Sequence, residues 1–245
     1  MTTNTIFIFC GNKCNFSCNH CIASSSPQST LYSLSDKDIT IVIEALNLAS
    51  NLKNVHFVGG EPSLYLEKIA KLQSMIGDNY TYSMTTNGSW YSKIEAILST
   101  IKLHSVNLSY HRFHSMFISR DNLLFLAASL RDRGVKVCFQ IAISELAELL
   151  EYAEFVEAGF EIIPLSIVEA GRATKQISFS EKDPNIIDKS CVNASVTTGR
   201  SKIYYPGVGF SICCGPLFFS RNGPTREPKI VTNGIEDSEL EAIML

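Results

Sequence analysis

A chain of 245 residues, 45% hydrophobic and 18% charged, has the material for one large domain with a buried core, or one such domain with a small appendage. A formal net charge of −3 offers no basic field to nucleic acid, and no apolar run reaches the roughly 20 residues that a membrane span needs. Met1-Thr2-Thr3-Asn4 lacks the basic start of a signal peptide, so the protein is expected to be soluble and cytoplasmic, with neither nucleic acid nor membrane as partner.

The periodic signals alternate along the chain. Thr5–Cys10 is a short apolar run rich in β-branched and aromatic residues, and reads as a buried strand. Ser35–Ser50 reads as a helix, capped by Ser35 and Asp38, with Ile39, Val42, Ile43 and Leu46 on one face. Val55–Val58 is a strand ending in a Gly-Gly turn, and Leu64–Ile76 is a helix stopped by Gly77. Strand Thr81–Thr86, helix Tyr91–Ile101, strand Ser105–Tyr110 and helix Asn122–Arg133 follow. Val135–Ile143 is the longest strand, Leu146–Ala158 a helix stopped by Gly159, and Phe160–Leu165 a further strand. Strict alternation implies an α/β fold with a parallel sheet and right-handed crossovers. Six such units suit a partial (β/α)6 barrel, although an open doubly wound sheet has the same alternation.

After Gly171 the texture changes. Residues 174–205 show no clear amphipathic period, Lys202–Tyr205 and Gly209–Cys213 resemble a hairpin around Pro206-Gly207, and Ile235–Leu245 is a short acidic helix candidate. The expected division is a partial barrel over residues 1–174 and a small C-terminal extension over 175–245.

The chain carries eight cysteines, and in a reducing compartment these point to metal or redox chemistry rather than disulfides. Three of them form Cys14-Asn-Phe-Ser-Cys18-Asn-His-Cys21, a C-x3-C-x2-C spacing directly after the first strand. Iron–sulfur clusters are held by thiolates, and a four-iron cluster normally takes four. Three clustered cysteines suggest that one iron is left open, on the face of a parallel barrel where active sites gather. Two alternatives stand beside this on spacing alone. One is a zinc site completed by His20, although adjacent His20 and Cys21 would struggle to meet one tetrahedral ion; the other is a redox dithiol. Cys10 and Cys138 lie in apolar strands and read as buried structural thiols.

The cysteine loop resembles the hallmark of the radical S-adenosylmethionine (SAM) superfamily, and the likeness extends over residues 5–173 through further motifs. Gly59-Gly60-Glu61-Pro62 after the second strand resembles the family segment that contacts the SAM amino group. Thr85-Thr86-Asn87-Gly88 resembles the turn after the third strand, and Ser109 sits where a polar contact to SAM is common. Gly171-Arg172-Ala173 resembles an element of peptide- and protein-modifying members. The resemblance implies a 4Fe-4S cluster on Cys14, Cys18 and Cys21, and SAM contacts from His20, Gly59, Gly60, Glu61, Thr86, Asn87, Ser109 and Arg172. Taken singly, the two glycines let backbone approach a ligand, Glu61 is a carboxylate aimed at a cation, and Arg172 is a fork suited to a carboxylate or to a structural salt bridge. Asn87-Gly88 is equally an ordinary turn. Tyr110, His111 and His114, in a segment that departs from the Asp-containing family pattern, are candidate substrate contacts, as is Gln140 within the fifth strand.

Cys191, Cys213 and Cys214 resemble the start of a SPASM or twitch-type extension and are candidate ligands of a second iron–sulfur cluster, without the later cysteines of a full complement. The implied chemistry is reductive cleavage of SAM to a 5′-deoxyadenosyl radical that abstracts hydrogen from substrate, with electrons from a donor such as flavodoxin or ferredoxin. The favoured substrate is a ribosomally made peptide, undergoing epimerisation or cross-linking. The first strand begins almost at once, so leader recognition is expected to fall to a separate partner or to the barrel mouth. A small-molecule radical SAM enzyme and a glycyl-radical activase are the enzymatic alternatives, and a non-catalytic zinc- or iron-binding interaction module the alternative of another class.

Overall fold

The computed structural model of the chain describes residues 5–49, 52–167, 171–173 and 202–211. Strand β1 (Thr5–Phe9) is followed by α1 (Asp36–Leu48), β2 (Asn54–Val58), α2 (Leu66–Ile76), β3 (Thr81–Thr86) and α3 (Ile94–Thr100). Then come β4 (Ser105–Tyr110), α4 (Arg120–Asp132), β5 (Lys136–Ile143), α5 (Ala153–Glu157) and β6 (Glu161–Ser166). Each of these six strands pairs in parallel with its neighbour in sequence. A hairpin of β7 (Lys202–Tyr205) and β8 (Gly209–Ser211) continues the same sheet, β7 lying parallel to β1 and β8 antiparallel to β7. The sheet order is β6-β5-β4-β3-β2-β1-β7-β8, so it ends on β6 and β8 without closing. This is the α/β partial barrel that the alternation predicts. The predicted division at residue 174/175 and the acidic helix at 235–245 lie outside the described residues.

Local chemistry sets the element ends. Ser35 caps α1 by accepting from the Asp38 N–H, while the Asp38 carboxylate accepts from the Ser35 N–H at 2.8 Å, a reciprocal box that satisfies two backbone donors. Gly77, at φ 69°, ends α2 in a conformation that side chains resist. The predicted helix Leu64–Ile76 begins instead as a 3-10 turn over Pro62–Tyr65, with Glu61 capping the Ser63 N–H. The predicted helix Tyr91–Ile101 likewise opens with a 3-10 turn over Tyr91–Lys93. Leu146–Ala158 is mostly 3-10, with only Ala153–Glu157 α-helical. Its two buried anchors, Tyr152 and Phe155, are three residues apart, which a three-residue turn aligns on one side, whereas Leu146 and Leu150 are exposed.

Alternation along the strands divides the sheet into two unlike faces. Ile6, Ile8, Val55, Phe57, Met84, Val106, Leu108, Phe139 and Ile141 form one fully buried layer against Ile39, Val42, Ile69, Leu72, Leu123, Leu126 and Leu130 of the helices. The residues between them point the other way and are largely polar: Asn54, His56, Ser83, Thr85, Asn107, Ser109 and Gln140. Residues of five successive strands on this second face line a common cavity, so the sheet curls around it.

Asp38 also ties the hairpin to the barrel. Its carboxylate accepts from the Tyr204 hydroxyl at 2.6 Å and from the Gly207 N–H at 2.8 Å. Burial opposes its charge, and the hydrogen bonds from Ser35, Tyr204 and Gly207 outweigh that and hold its pKa below the ordinary value. Replacing Asp38 with Ala orphans these donors, and is expected to cost about 2–4 kcal/mol in anaerobic urea unfolding. His56 is buried between the Ser83 hydroxyl at 2.6 Å and the Thr85 hydroxyl at 2.8 Å. Burial lowers its pKa from 6.5 to about 4, so the fold favours the neutral ring. The stability this contributes is complete above pH 6.5 and is lost as the pH falls toward 4, by up to about 3 kcal/mol. His56→Gln is expected to flatten that part of the acid limb, read as urea midpoints between pH 7 and pH 4.

Candidate active site

The segment between β1 and α1 folds over the C-terminal ends of the strands and is pinned by its own backbone. Cys14 N–H donates to Ser26 O, Asn12 N–H to Tyr32 O, and Leu34 N–H to Cys10 O. Within it the three clustered thiols are free, Cys14 and Cys18 buried and Cys21 partly so. All three line one cavity of about 330 Å³, with Gly59, Gly60, Thr86, Asn87, Ser109, His20, His111, His114, Gln140 and Arg172 around it. The volume falls in the range of small-molecule sites.

Backbone and amide donors already point at the sulfurs. Phe16 N–H lies 3.4 Å from Cys14 Sγ, Ser25 N–H 3.3 Å from Cys21 Sγ, and the Asn87 amide 3.7 Å from Cys14 Sγ. Burial pushes the Cys14 and Cys18 thiols up to about 12. The Phe16 and Asn87 donors pull Cys14 back, as the Arg172 charge does Cys18. Such thiols stay protonated until a metal takes them, and metal binding then releases their protons.

The loops around the thiols owe their sequence to the cysteine segment. Gly60 N–H donates to Gly11 O at 2.7 Å and Glu61 N–H to Lys13 O at 2.9 Å. A Cβ on Gly60 would sit 2.2 Å from the Lys13 carbonyl oxygen, and one on Gly59, at φ 153°, 2.7 Å from that of Gly11. Close approach of backbone is therefore required here, as predicted, but the partner that demands it is the cysteine loop. Glu61 corrects the expectation of a carboxylate aimed at a ligand cation. It is fully buried beneath the cavity, accepting from Thr86 Oγ1 at 2.7 Å, Asn87 N at 2.9 Å and Ser63 N at 3.1 Å. Burial raises its pKa, and these donors oppose the rise. Arg172 lines the cavity and also braces the loop that carries the thiols. Its guanidinium holds backbone, Nε donating to Cys18 O at 2.9 Å and a terminal nitrogen to Ser25 O at 2.6 Å, while its own N–H reaches Cys21 O. Among the described residues it has no salt-bridge partner. A Cβ on Gly171 would meet the carbonyls of Cys21 and Ile22 within 2.4 Å, so Gly171-Arg172 closes over the loop.

Among the candidate substrate contacts, His111, His114 and Gln140 line the cavity and Tyr110 does not. Tyr110 falls on the opposite side of β4 and packs against Tyr152 and Phe155 in the core, because strand side chains alternate. His20, His111 and His114 bring three nitrogens within 4.8 Å of one another. Phe113 N–H donates to His111 Nδ1 at 3.0 Å, so the proton of the neutral ring sits on Nε2, 2.5 Å from His20 Nε2. In that tautomer His111 donates to His20 and offers no lone pair to a metal there. Nδ1 of His20 and Nδ1 of His114 are buried and lack hydrogen-bond partners among the described residues, as a site built for a hydrogen-bonding ligand would leave them. Free thiols, donors aimed at them and unpaired polar atoms beside a ligand-sized cavity fit an iron–sulfur cluster with a small polar cofactor.

Sequence reasoning missed Phe16, Ser25, Thr85, Ala142 and Leu165 in the lining. The strand alternation that selects Ser109 and Gln140 would have found Thr85 and Ala142 as well. Cys10 is buried as expected. Cys138 is only half-buried, on the polar face of the sheet, with its thiol donating to Asn107 Oδ1 at 3.1 Å, which corrects its reading as a core thiol. Cys191, Cys213 and Cys214 lie outside the described residues. Among the described residues no helix is long and apolar enough to cross a membrane.

Comparison with known proteins agrees with this geometry. The putative peptide biosynthesis protein YydG of Bacillus subtilis (strain 168) is 22% identical over 240 residues, covering 93% of this chain and 74% of that protein. The solved structure of anSMEcpe with bound AdoMet is 19% identical at a TM-score of 0.52, covering 67% of this chain and 51% of that one. SuiB of Streptococcus suis bound to S-adenosylmethionine is 18% identical at a TM-score of 0.48, over 68% of this chain and 40% of that one. This chain thus spans about half, or less, of the length of the two solved chains. The Radical SAM superfamily model matches residues 8–144, from β1 through β5 and more than half of the chain. With its cysteine loop, open parallel sheet and ligand-sized cavity, the chain belongs to the radical SAM superfamily, whose enzymes work with a 4Fe-4S cluster and SAM.

Proposed function

We propose that this enzyme modifies a ribosomally made peptide, by epimerisation or cross-linking, with the cluster on Cys14, Cys18 and Cys21 and SAM in the adjoining cavity. The observation that carries the assignment of ligands is the convergence of three free thiols on one cavity wall. The peptide reading draws support from the likeness to YydG along nearly the whole chain and from Gly171-Arg172-Ala173. When bound, the cluster and SAM supply a reductively generated 5′-deoxyadenosyl radical, with electrons from a small donor such as flavodoxin or ferredoxin. The protein's own part is positioning and exclusion of water. Phe16, Ser25 and Asn87 direct N–H groups at the thiolate sulfurs, which lowers the electron density there. Gly59, Gly60, Ser109, His20 and His114 surround the cofactor. His111, through its Nε2–H, orients the His20 ring, and Gln140 faces the substrate. In this reading residues 1–174 form the catalytic barrel and 175–245 an extension. Cys191, Cys213 and Cys214 are its candidate ligands for a second cluster.

Three measurements test the proposal. Replacing Cys14, Cys18 and Cys21 together with Ala is expected to abolish 5′-deoxyadenosine formation under dithionite, and retained cleavage defeats the ligand assignment. Gly60→Ala, whose new methyl collides with the Lys13 carbonyl, is expected to drop iron and sulfide per chain well below wild type after anaerobic reconstitution. In deuterated buffer, a ribosomally made precursor peptide supplied as substrate is expected to gain one deuterium if epimerised or to lose two mass units if cross-linked. An unchanged peptide together with turnover of a free amino acid or sugar would favour a small-molecule substrate.

A further inference from the structure

The interior of a (β/α) barrel is ordinarily packed with layers of branched apolar side chains. This one is not. Below the thiol cavity lies a second cavity of about 380 Å³, reaching toward the strand starts at Thr5, Asn54, Thr81 and Ser105. Thr85 and Gln140 line both cavities, so the two share a wall along the same face of the sheet. The lower cavity is lined largely by Ser, Thr, Asn and His side chains, with Phe7 and Tyr82 as its aromatic members. No Asp, Glu, Lys or Arg is among its described lining residues. Of its two imidazoles, His56 is committed to Ser83 and Thr85, and His104 accepts from the Tyr82 N–H through Nδ1 at 2.9 Å. Short hydroxyl side chains leave space where Val, Ile or Leu would fill it, and supply both donors and acceptors without charge.

We propose that this lumen is the lower half of the substrate site and takes a neutral run of amide and hydroxyl groups, as a peptide segment with small uncharged side chains would present. The inference rests on the peptide reading for the identity of its ligand, and on Thr85 and Gln140 for its link to the thiols. A charged group would enter without a counter-charge and lose its hydration, whereas an amide exchanges water for equivalent partners. The sites on either side of the Thr85–Gln140 level then divide the work: cofactor above, an uncharged stretch of substrate below.

Cys138 reports on the lumen, because its thiol bonds to Asn107 of the lining. The cluster-loaded enzyme would be treated anaerobically with three methanethiosulfonates of similar size: neutral 2-hydroxyethyl, anionic 2-sulfonatoethyl and cationic 2-trimethylammonioethyl. Labelling of Cys138 is read by peptide mass spectrometry and divided by the rate in the urea-unfolded chain. The neutral reagent is expected to label at least about tenfold faster than either charged one, on the cost of dehydrating a charge. Using both signs removes the bias of Glu161, which stands opposite Cys138 on β6. Ser83→Phe and the near-isosteric Asn107→Leu are each expected to slow neutral labelling, with SAM binding by equilibrium dialysis showing that the fold survives. If Ser83→Phe fails to bind SAM, Asn107→Leu and the wild-type ratios decide. Equal rates for the three reagents overturn the proposal, as does no labelling by any of them. Selective labelling without conversion of any peptide would leave the neutral lumen standing and sink the peptide reading instead.

Discussion

The site depends on backbone lying directly on backbone. The segment that carries Cys14, Cys18 and Cys21 is held by its own backbone hydrogen bonds and by three others that grip its main chain: Gly60-Glu61 through Gly11 and Lys13, Tyr65 through the Lys13 N–H, and Arg172 through Cys18, Cys21 and Ser25. Where Gly59, Gly60 and Gly171 meet it, the approach is closer than a Cβ permits, and that is the physical content of those glycines. The thiols are thereby presented at a fixed place on the C-terminal rim of the sheet before any metal arrives.

Electrostatics under the cavity follow from the same arrangement. Glu61 is fully buried, and donors from Ser63, Thr86 and Asn87 hold it there. It cross-links those turns, and Asn87, whose N–H it receives, turns its amide toward Cys14. A carboxylate that a motif suggests as a ligand contact acts here one step behind the surface, setting the position of a residue that is on it. Arg172 does the corresponding service from the other side, lending positive charge to Cys18 while its hydrogen bonds go to carbonyls.

The opposite faces of the sheet show a division of labour between stability and function. The helix-facing side is apolar and closed, the side from which hydrophobic stabilisation comes. The inner side is polar and incompletely filled, and it forgoes packing energy along several strands. Loss of that energy is tolerable because the outer layer is continuous from β1 to β5. The buried imidazoles at 20, 56, 111 and 114 add to the tension, since each is favoured only as the neutral ring. A polar, incompletely filled interior of this kind is what a ligand-binding barrel retains and a structural one eliminates.

Hydrophobic periodicity was enough to read the alternating elements, because burial on one side of each helix and strand leaves its period in the chain; Ser105–Tyr110 and the Ser35/Asp38 cap appear in the structure as read. The 3-10 geometry of Leu146–Tyr152 was not legible, since its apolar residues outnumber the single one, Tyr152, that is buried. Residue type and spacing alone determined that three thiols would stand together after the first strand, with polar groups at the ends of the next ones. Only the tertiary structure decided which of those groups face the cavity. Glu61 was a candidate by position in a motif and Tyr110 by position at the end of a strand, yet the direction of a side chain depends on what packs beside it, and for these two the neighbours are the turns beneath the cavity and the core. Contacts between Glu61 and Lys13, or Arg172 and Cys21, join segments far apart in sequence through main-chain atoms that every residue possesses, so no pattern of residue types could announce them.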